Sequence, residues 1–184
     1  PRSGSGRPPR DHRVRVVLAP DSFKGSATAD EVVHALAAGL RRADRSIETV
    51  ARPMADGGEG TLAAFLTATA GAVRHRLVVD GPAGPARASW VELPDRTGVV
   101  ELAAVSGIEL LAGSLRPWDA HTIGVGQAIA AALDQGVERL LVGIGSSAST
   151  DAGTGLLTAL GARFLTAEGR PAAPGARGLR SVAA

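Results

Sequence analysis

The sequence predicts an α/β fold, a parallel-sheet, Rossmann-like domain with a small β-rich (α+β) lobe. Three observations lead there. Short apolar runs rich in Val and Leu alternate with helix-length amphipathic segments toward both ends of the chain. Gly/Ser/Asp-rich turns sit where those runs hand over to helices. Between them, residues 73–103 switch to short alternating segments parted by Gly/Pro turns, the pattern of a β-meander.

Taken in order, the first strand covers about residues 14–19. Thr28 and Glu31 form a capping box ahead of a helix whose apolar face is expected to carry Val32, Leu36 and Leu40, with Val33 and Ala37 beside them. Arg41 and Arg42 suit the negative end of that helix dipole. A second strand at about 47–51 leads through a glycine-rich turn to a helix with Leu62, Phe65, Leu66 and Thr69, closed by Gly71. Strands at 73–79, 86–93 and 98–103 make the meander. A helix at about 124–135, a strand at 139–143, a helix at about 153–160 and a strand at 162–166 follow. From Gly169 onward, Pro and Gly stop regular structure. The expected organisation is a disordered basic tail at 1–13, the first part of the α/β domain at 14–72, and the β-rich lobe at 73–120. The α/β domain resumes at 121–168, and 169–184 is an irregular end. With no closing element, the chain reads as the first part of a larger architecture.

Composition excludes several functions. Of the 184 residues, 20 are basic and 18 acidic, but five of the arginines fall within the first 15 residues against one Asp, so residues 16–184 hold 15 basic and 17 acidic side chains. A basic tail without an aromatic platform does not make a nucleic-acid surface. The absence of Cys rules out thiolate catalysis, disulfides and Cys-type zinc sites, and suits a reducing cytoplasm. No apolar run is long enough for a membrane span, and residues 1–13 lack the apolar stretch of a secretory signal.

Four turns at strand-to-helix junctions carry the candidate chemistry: 19–26, 55–61, 122–126 and 143–155. Lys24 is the only lysine in the chain, and an ammonium at such a junction acts as a compact charge on a phosphate; the competing reading is a solvated loop residue. Asp56 and Glu59 are parted by two glycines, a spacing that lets both carboxylates reach one point for Mg²⁺ ligation or base work. The alternative has Asp56 capping the next helix and Glu59 completing a capping box. Gly143–Ala148 matches a dinucleotide fingerprint, with Glu168 at the spacing of a ribose-binding acid, so a NAD-type module is a rival reading. Of the histidines, His121 alone stands beside one of these turns.

Together the turns resemble the glycerate kinase family of the bacterial D-glycerate type. The matching strings are Ala19–Ser26, Ala55–Thr61, Glu101–Ile108, His121–Ile129 and Gly143–Gly161, in family order across about residues 14–170. The family usually has a Gly pair where Gly145-Ser146 stands, Gly where Ala152 stands and Thr where His121 stands. Its members look roughly twice as long, so the resemblance is to their N-terminal half. It implies phosphorylation of D-glycerate with ATP and Mg²⁺ as cofactors, with glycerate and ATP as partners. Neither nucleic acid nor membrane is a partner. A homo-oligomer or a missing C-terminal half would complete the site, and a non-catalytic fragment is the third reading. Asp21, Lys24, Asp56 and Asp151 are the expected catalytic residues. Ser22, Gly57, Gly58, Glu59, Gly124, Gly126, Gly145, Ser146 and Ser147 are expected to bind substrate or phosphate, and Asp56, Glu59 and Asp151 are the candidate metal ligands.

Overall fold

The computed structural model describes residues 14–183, and the expected basic tail lies outside them. The chain is a mixed α/β protein that divides into two compact units, one ending at Pro53 and one beginning at Met54.

In the first unit, β1 (Arg15–Leu18) and β2 (Glu48–Ala51) pair in parallel, joined by α1 (Ala29–Ala43). The capping box forms as the sequence implies: the Thr28 hydroxyl accepts from the Glu31 N–H at 3.3 Å, and Glu31 Oε2 accepts from the Thr28 N–H at 2.7 Å. The buried stripe of α1 differs from the expected one. Val33 and Ala37 are buried with Leu18, and half-buried Leu40 and Val16 pack against them, whereas Leu36 is exposed. Positions 33, 37 and 40 recur at helical spacing just as 32, 36 and 40 do, so periodicity cannot choose between two adjacent stripes.

In the second unit, α2 (Thr61–Ala68) precedes a four-stranded sheet of order β3 (Val73–Gly81), β4 (Gly84–Glu92), β5 (Thr97–Glu101), β6 (Arg139–Gly143) among the described residues. The first two pairs are antiparallel, and β5 with β6 is parallel. The sheet therefore runs on from the meander into the strand at 139–143. Alternation on β4 and β5 divides their side chains between two layers. Val91 and Val99 face Leu62 of α2, and Trp90 and Val100 face the other side. There they meet Val105 of α3 (Leu102–Ser106) and Val125, Ala128, Ile129 and Ala132 of α4 (Ile123–Asp134). Every residue of β5 is buried, as expected of a strand covered on both faces. On β3, His75 lies opposite Trp90, stacks on it at 4.2 Å and bonds to Glu92 at 2.9 Å.

With so few aromatic side chains, the helices come together through small residues. Gly126 of α4 faces α5 (Thr154–Ala159): a Cβ there would collide with the Leu156 carbonyl oxygen and sit 2.7 Å from the Ala159 Cβ. Gly124 faces β3 and α3, where a Cβ would lie 2.9 Å from the Asp80 carbonyl oxygen and 3.1 Å from that of Val105.

Two expectations fail near the end of the chain. Residues 162–166 form no strand; the segment makes only isolated bridges, Leu165 with Pro171 and Thr166 with Val182, because it folds back on its own successor instead of reaching a sheet neighbour. The stretch beyond Gly169 is not wholly irregular, since α6 (Gly175–Leu179) follows Pro174. No helix among the described residues is long and apolar enough to cross a membrane.

Two predictions follow from these contacts. Gly126→Ala should destabilise the second unit by at least about 2 kcal/mol, whereas Gly39→Ala, in α1 with nothing within 4 Å of the added Cβ, should add about 0.5–1 kcal/mol; urea unfolding of both variants measures the contrast. The hydrogen bonds from the Thr28 backbone and then its hydroxyl hold the exposed Glu31 carboxyl below its usual range. Its support for α1 is therefore complete at neutral pH and declines as pH falls below about 4. Amide exchange in the first turn of α1 should rise there in the parent, and Glu31→Gln should abolish that pH dependence.

Candidate functional site

Because β5 and β6 run parallel, their carboxyl ends lie side by side, with Glu101 opposite Gly143 in register. Such ends are where α/β folds hold ligands. Three segments of the second unit meet there: the 55–60 turn before α2, residues 101–108 after β5, and residues 143–148 after β6.

Two of these turns touch backbone to backbone. The Gly145 N–H donates to the Gly57 carbonyl at 3.0 Å. A Cβ on Gly143 would lie 2.6 Å from that same carbonyl oxygen, and one on Gly145 would lie 2.7 Å from the Gly58 Cα. Gly57 also has φ of 96°, a left-handed conformation that costs glycine nothing. The glycines expected to bind ligand thus have a prior duty, which is to let the two turns close on each other.

Side chains complete the contact. The Ser146 hydroxyl donates to Glu59 Oε2 at 2.5 Å, and Asp56 Oδ1 accepts from the Gly58 N–H at 3.1 Å. Asp56 is exposed and Glu59 half-buried. Neither side chain caps α2, whose N-cap is Gly60 at φ 91°. That task falls to Glu101, which sequence reasoning did not single out. Only 6% exposed, its Oε2 accepts from the Leu62 N–H at 2.9 Å. Burial pushes the Glu101 carboxyl up, and the N–H groups of Leu62 and Gly60 pull it partly back. The available signal was a carboxylate closing an otherwise apolar strand, within one of the matching strings.

The far side of the 143–148 turn is zipped to residues 106–108: the Ile108 N–H donates to the Ser146 carbonyl, and the Ala148 N–H to that of Ser106, each at 2.9 Å. Ser146 has φ of 54° and Ala152 φ of 51°, left-handed conformations in residues other than glycine. Among the described residues, the Ser146 and Ser147 amides make no hydrogen bond. Ser147 is exposed, its hydroxyl 2.9 Å from that of Ser149.

Asp151 has a different setting. It is 1% exposed, and Oδ2 accepts from the Thr122 N–H at 2.8 Å, the Thr122 hydroxyl at 2.9 Å and the Gly155 N–H at 3.1 Å. Oδ1 accepts from the Gly153 N–H at 3.1 Å. The Thr122 hydroxyl in turn accepts from the Leu156 N–H at 2.8 Å. One carboxylate thereby serves the starts of both α4 and α5, whose N-caps are Thr122 and Gly153. Gly124 and Gly126 are buried against neighbouring elements as described above. The His121 carbonyl accepts from the Ser106 hydroxyl at 2.6 Å, and its buried Nδ1 has no partner among the described residues.

Asp21, Ser22 and Lys24 belong to the first unit. Asp21 Oδ1 accepts from the Ser22 N–H at 2.6 Å, and Lys24 is exposed in a turn closed by reciprocal backbone bonds between Phe23 and Ala27. Among the described residues no group of three His, Asp or Glu side chains is placed to hold a metal ion by itself. The NAD-type reading loses its framework: α5 starts only at Thr154, no strand follows it among the described residues, and Glu168 is exposed in a turn where it accepts from the Thr166 hydroxyl.

Comparison with known proteins agrees with the matching strings. The sequence pattern of the Glycerate kinase family matches residues 16–184. A "Glycerate kinase" of Bacillus subtilis (strain 168) is 42% identical over 173 residues, 92% of this chain and 45% of that protein. A "Glycerate 2-kinase" of Escherichia coli (strain K12) is 42% identical over 159 residues, 85% of this chain and 42% of that one. Among solved structures, a "putative glycerate kinase 2" from Salmonella typhimurium LT2 superposes with a TM-score of 0.77 at 38% identity, covering 93% of this chain and 46% of that one. The chain thus spans less than half the length of these relatives.

Asp151→Asn, which puts an amide among four donors, should destabilise the second unit by about 3 kcal/mol. Asp56→Asn should leave the urea midpoint unchanged. Equilibrium unfolding of the two variants side by side tests this division between a buried and an exposed carboxylate.

Proposed function

Since the chain belongs to the glycerate kinase family, we propose that it carries part of the apparatus of an ATP:glycerate phosphotransferase. The reaction is transfer of the γ-phosphoryl group of Mg·ATP to a hydroxyl of D-glycerate, giving phosphoglycerate and ADP. The observation that carries this reading is the closed pair of turns at the carboxyl ends of β5 and β6, with the exposed Asp56 beside it.

Phosphoryl transfer asks a protein mainly for positioning and charge neutralisation. Two adjacent unbonded amides, at Ser146 and Ser147, flank a residue in left-handed conformation. Successive N–H groups in such a conformation make a concavity that suits phosphate oxygens. Asp56 Oδ2 takes no part in the turn's own bond, which Oδ1 accepts, and is the group to accept the proton of the attacking hydroxyl. The same oxygen fits Mg²⁺, which is ordinarily held by one or two carboxylates together with phosphates and water. Bound there, the ion would neutralise charge on the phosphates. Glu59, engaged by Ser146, supports the turn from behind. Asp151 acts as a positioning residue, because all four of its hydrogen bonds go to the protein. In the first unit, Lys24, with Asp21 and Ser22 on the same turn, is a cation of the kind that suits a carboxylate or a phosphate. A reducing, cytoplasmic setting suits a chain without cysteine.

Glycerate-dependent release of ADP from Mg·ATP tests the proposal. Asp56→Asn should lower the rate by at least about 100-fold with an unaltered melting temperature. ADP release indifferent to glycerate, an Asp56→Asn chain as active as the parent, or a folded chain that neither turns over nor binds Mg·ATP would each remove this reading for these residues.

A further inference from the structure

We propose that Glu101 is the positioning residue of the 55–60 turn: from the end of β5, its buried carboxylate holds the backbone where the turn becomes α2, and so keeps Gly57 and Glu59 against the 143–146 turn. Three contacts place it. Its Oε2 accepts from the Leu62 N–H at 2.9 Å. The Gly60 N–H favours the charged form of the same carboxyl group. Its own backbone lies opposite Gly143 in the parallel ladder, and Gly143 is the residue whose missing side chain lets the Gly57 carbonyl approach.

Glu101 thus reaches the 55–60 turn by two routes. One is direct, through the Leu62 amide in the first turn of α2, where the 55–60 turn ends. The other runs through the ladder to Gly143 and across to Gly57. A carboxylate only 6% exposed is costly to bury, and stays only where several donors meet it. An ordinary Ser, Thr or Asp at the N-cap would have satisfied α2 from within its own sequence. The chain uses Gly60 there instead, and brings the acceptor from the strand that also sets the position of Gly143. Cap and site are thereby fixed to one element.

This inference rests on the proposed kinase reading only for its functional arm, so the test has two arms. In the full chain, Glu101→Leu should speed amide exchange at Gly60 and Leu62 on the order of tenfold or more. It should also speed exchange at Gly145, whose N–H bonds the Gly57 carbonyl, while amides in the middle of α4 stay as in the parent. Glu101→Gln, which keeps an acceptor, should restore Gly145 toward the parent rate; it also guards against a leucine variant that fails to fold. Exchange that rises at Gly60 and Leu62 but not at Gly145 would reduce Glu101 to a helix cap and overturn the proposal, as would a glutamine variant indistinguishable from the leucine one at Gly145. In the second arm, Mg·ADP binding is measured by calorimetry. Weaker binding in Glu101→Leu with recovery in Glu101→Gln supports the positioning role. Binding equal in all three chains overturns it. A parent chain that binds no Mg·ADP counts against the kinase reading, and the exchange at Gly145 then still decides the role of Glu101.

Discussion

The Gly57 carbonyl oxygen and the Gly145 amide stand 3.0 Å apart, and no side chain fits between the two stretches of backbone they belong to. Much of the second unit can be understood from that close approach. It requires Gly at 143 and 145, since a Cβ at either would meet backbone atoms that cannot move without opening the turn. It requires β6 to end beside β5, which the parallel ladder ensures by setting Glu101 opposite Gly143. From the other side, Glu101 accepts from the Leu62 N–H at the start of α2, just after the 55–60 turn.

Carboxylates of one chemical type take different roles according to what surrounds them. Asp151 is enclosed by four donors and joins two helix starts. Glu101 accepts from an amide at the head of a third helix, and its burial raises the carboxyl although the N–H groups of Leu62 and Gly60 lower it. Glu59 meets a hydroxyl from the neighbouring turn. Asp56 has a single local bond and faces water, so it is the member best suited to meet a ligand. A buried carboxylate held by protein donors adds rigidity, whereas an exposed one with an oxygen to spare can change partners during a reaction.

The shortage of aromatic side chains has a structural counterpart. Where bulky groups would fill gaps, this chain brings backbones together, as at Gly126 against α5 and Gly124 against β3. Glycines in the 122–126 and 143–155 segments look alike in sequence, yet Gly124, Gly126 and Gly155 pack helices whereas Gly143 and Gly145 close turns. Ser146 and Ala152 depart from this economy of small residues by holding left-handed conformations with a Cβ present, a local strain the surrounding bonds must sustain. At Ser146 the side chain offsets some of that cost through its bond to Glu59.

By itself, the sequence determined the α/β class, the Thr28–Glu31 capping box, the ends of β6 and the family, because each rests on residues close together in the chain or on strings read in order. It could not decide which of two adjacent stripes of α1 is buried, since both satisfy the helical period. Nor could it show that residues 162–166 lack a sheet neighbour. The roles of the acids were equally out of reach: Asp56, Asp151 and Glu101 differ in burial and in donors contributed by residues as distant as Leu62 and Thr122. A hydrogen-bond partner tens of residues away leaves no mark in local pattern. Only the tertiary structure, by bringing the carboxyl ends of two parallel strands together, decided which carboxylate is buried among donors and which is left exposed.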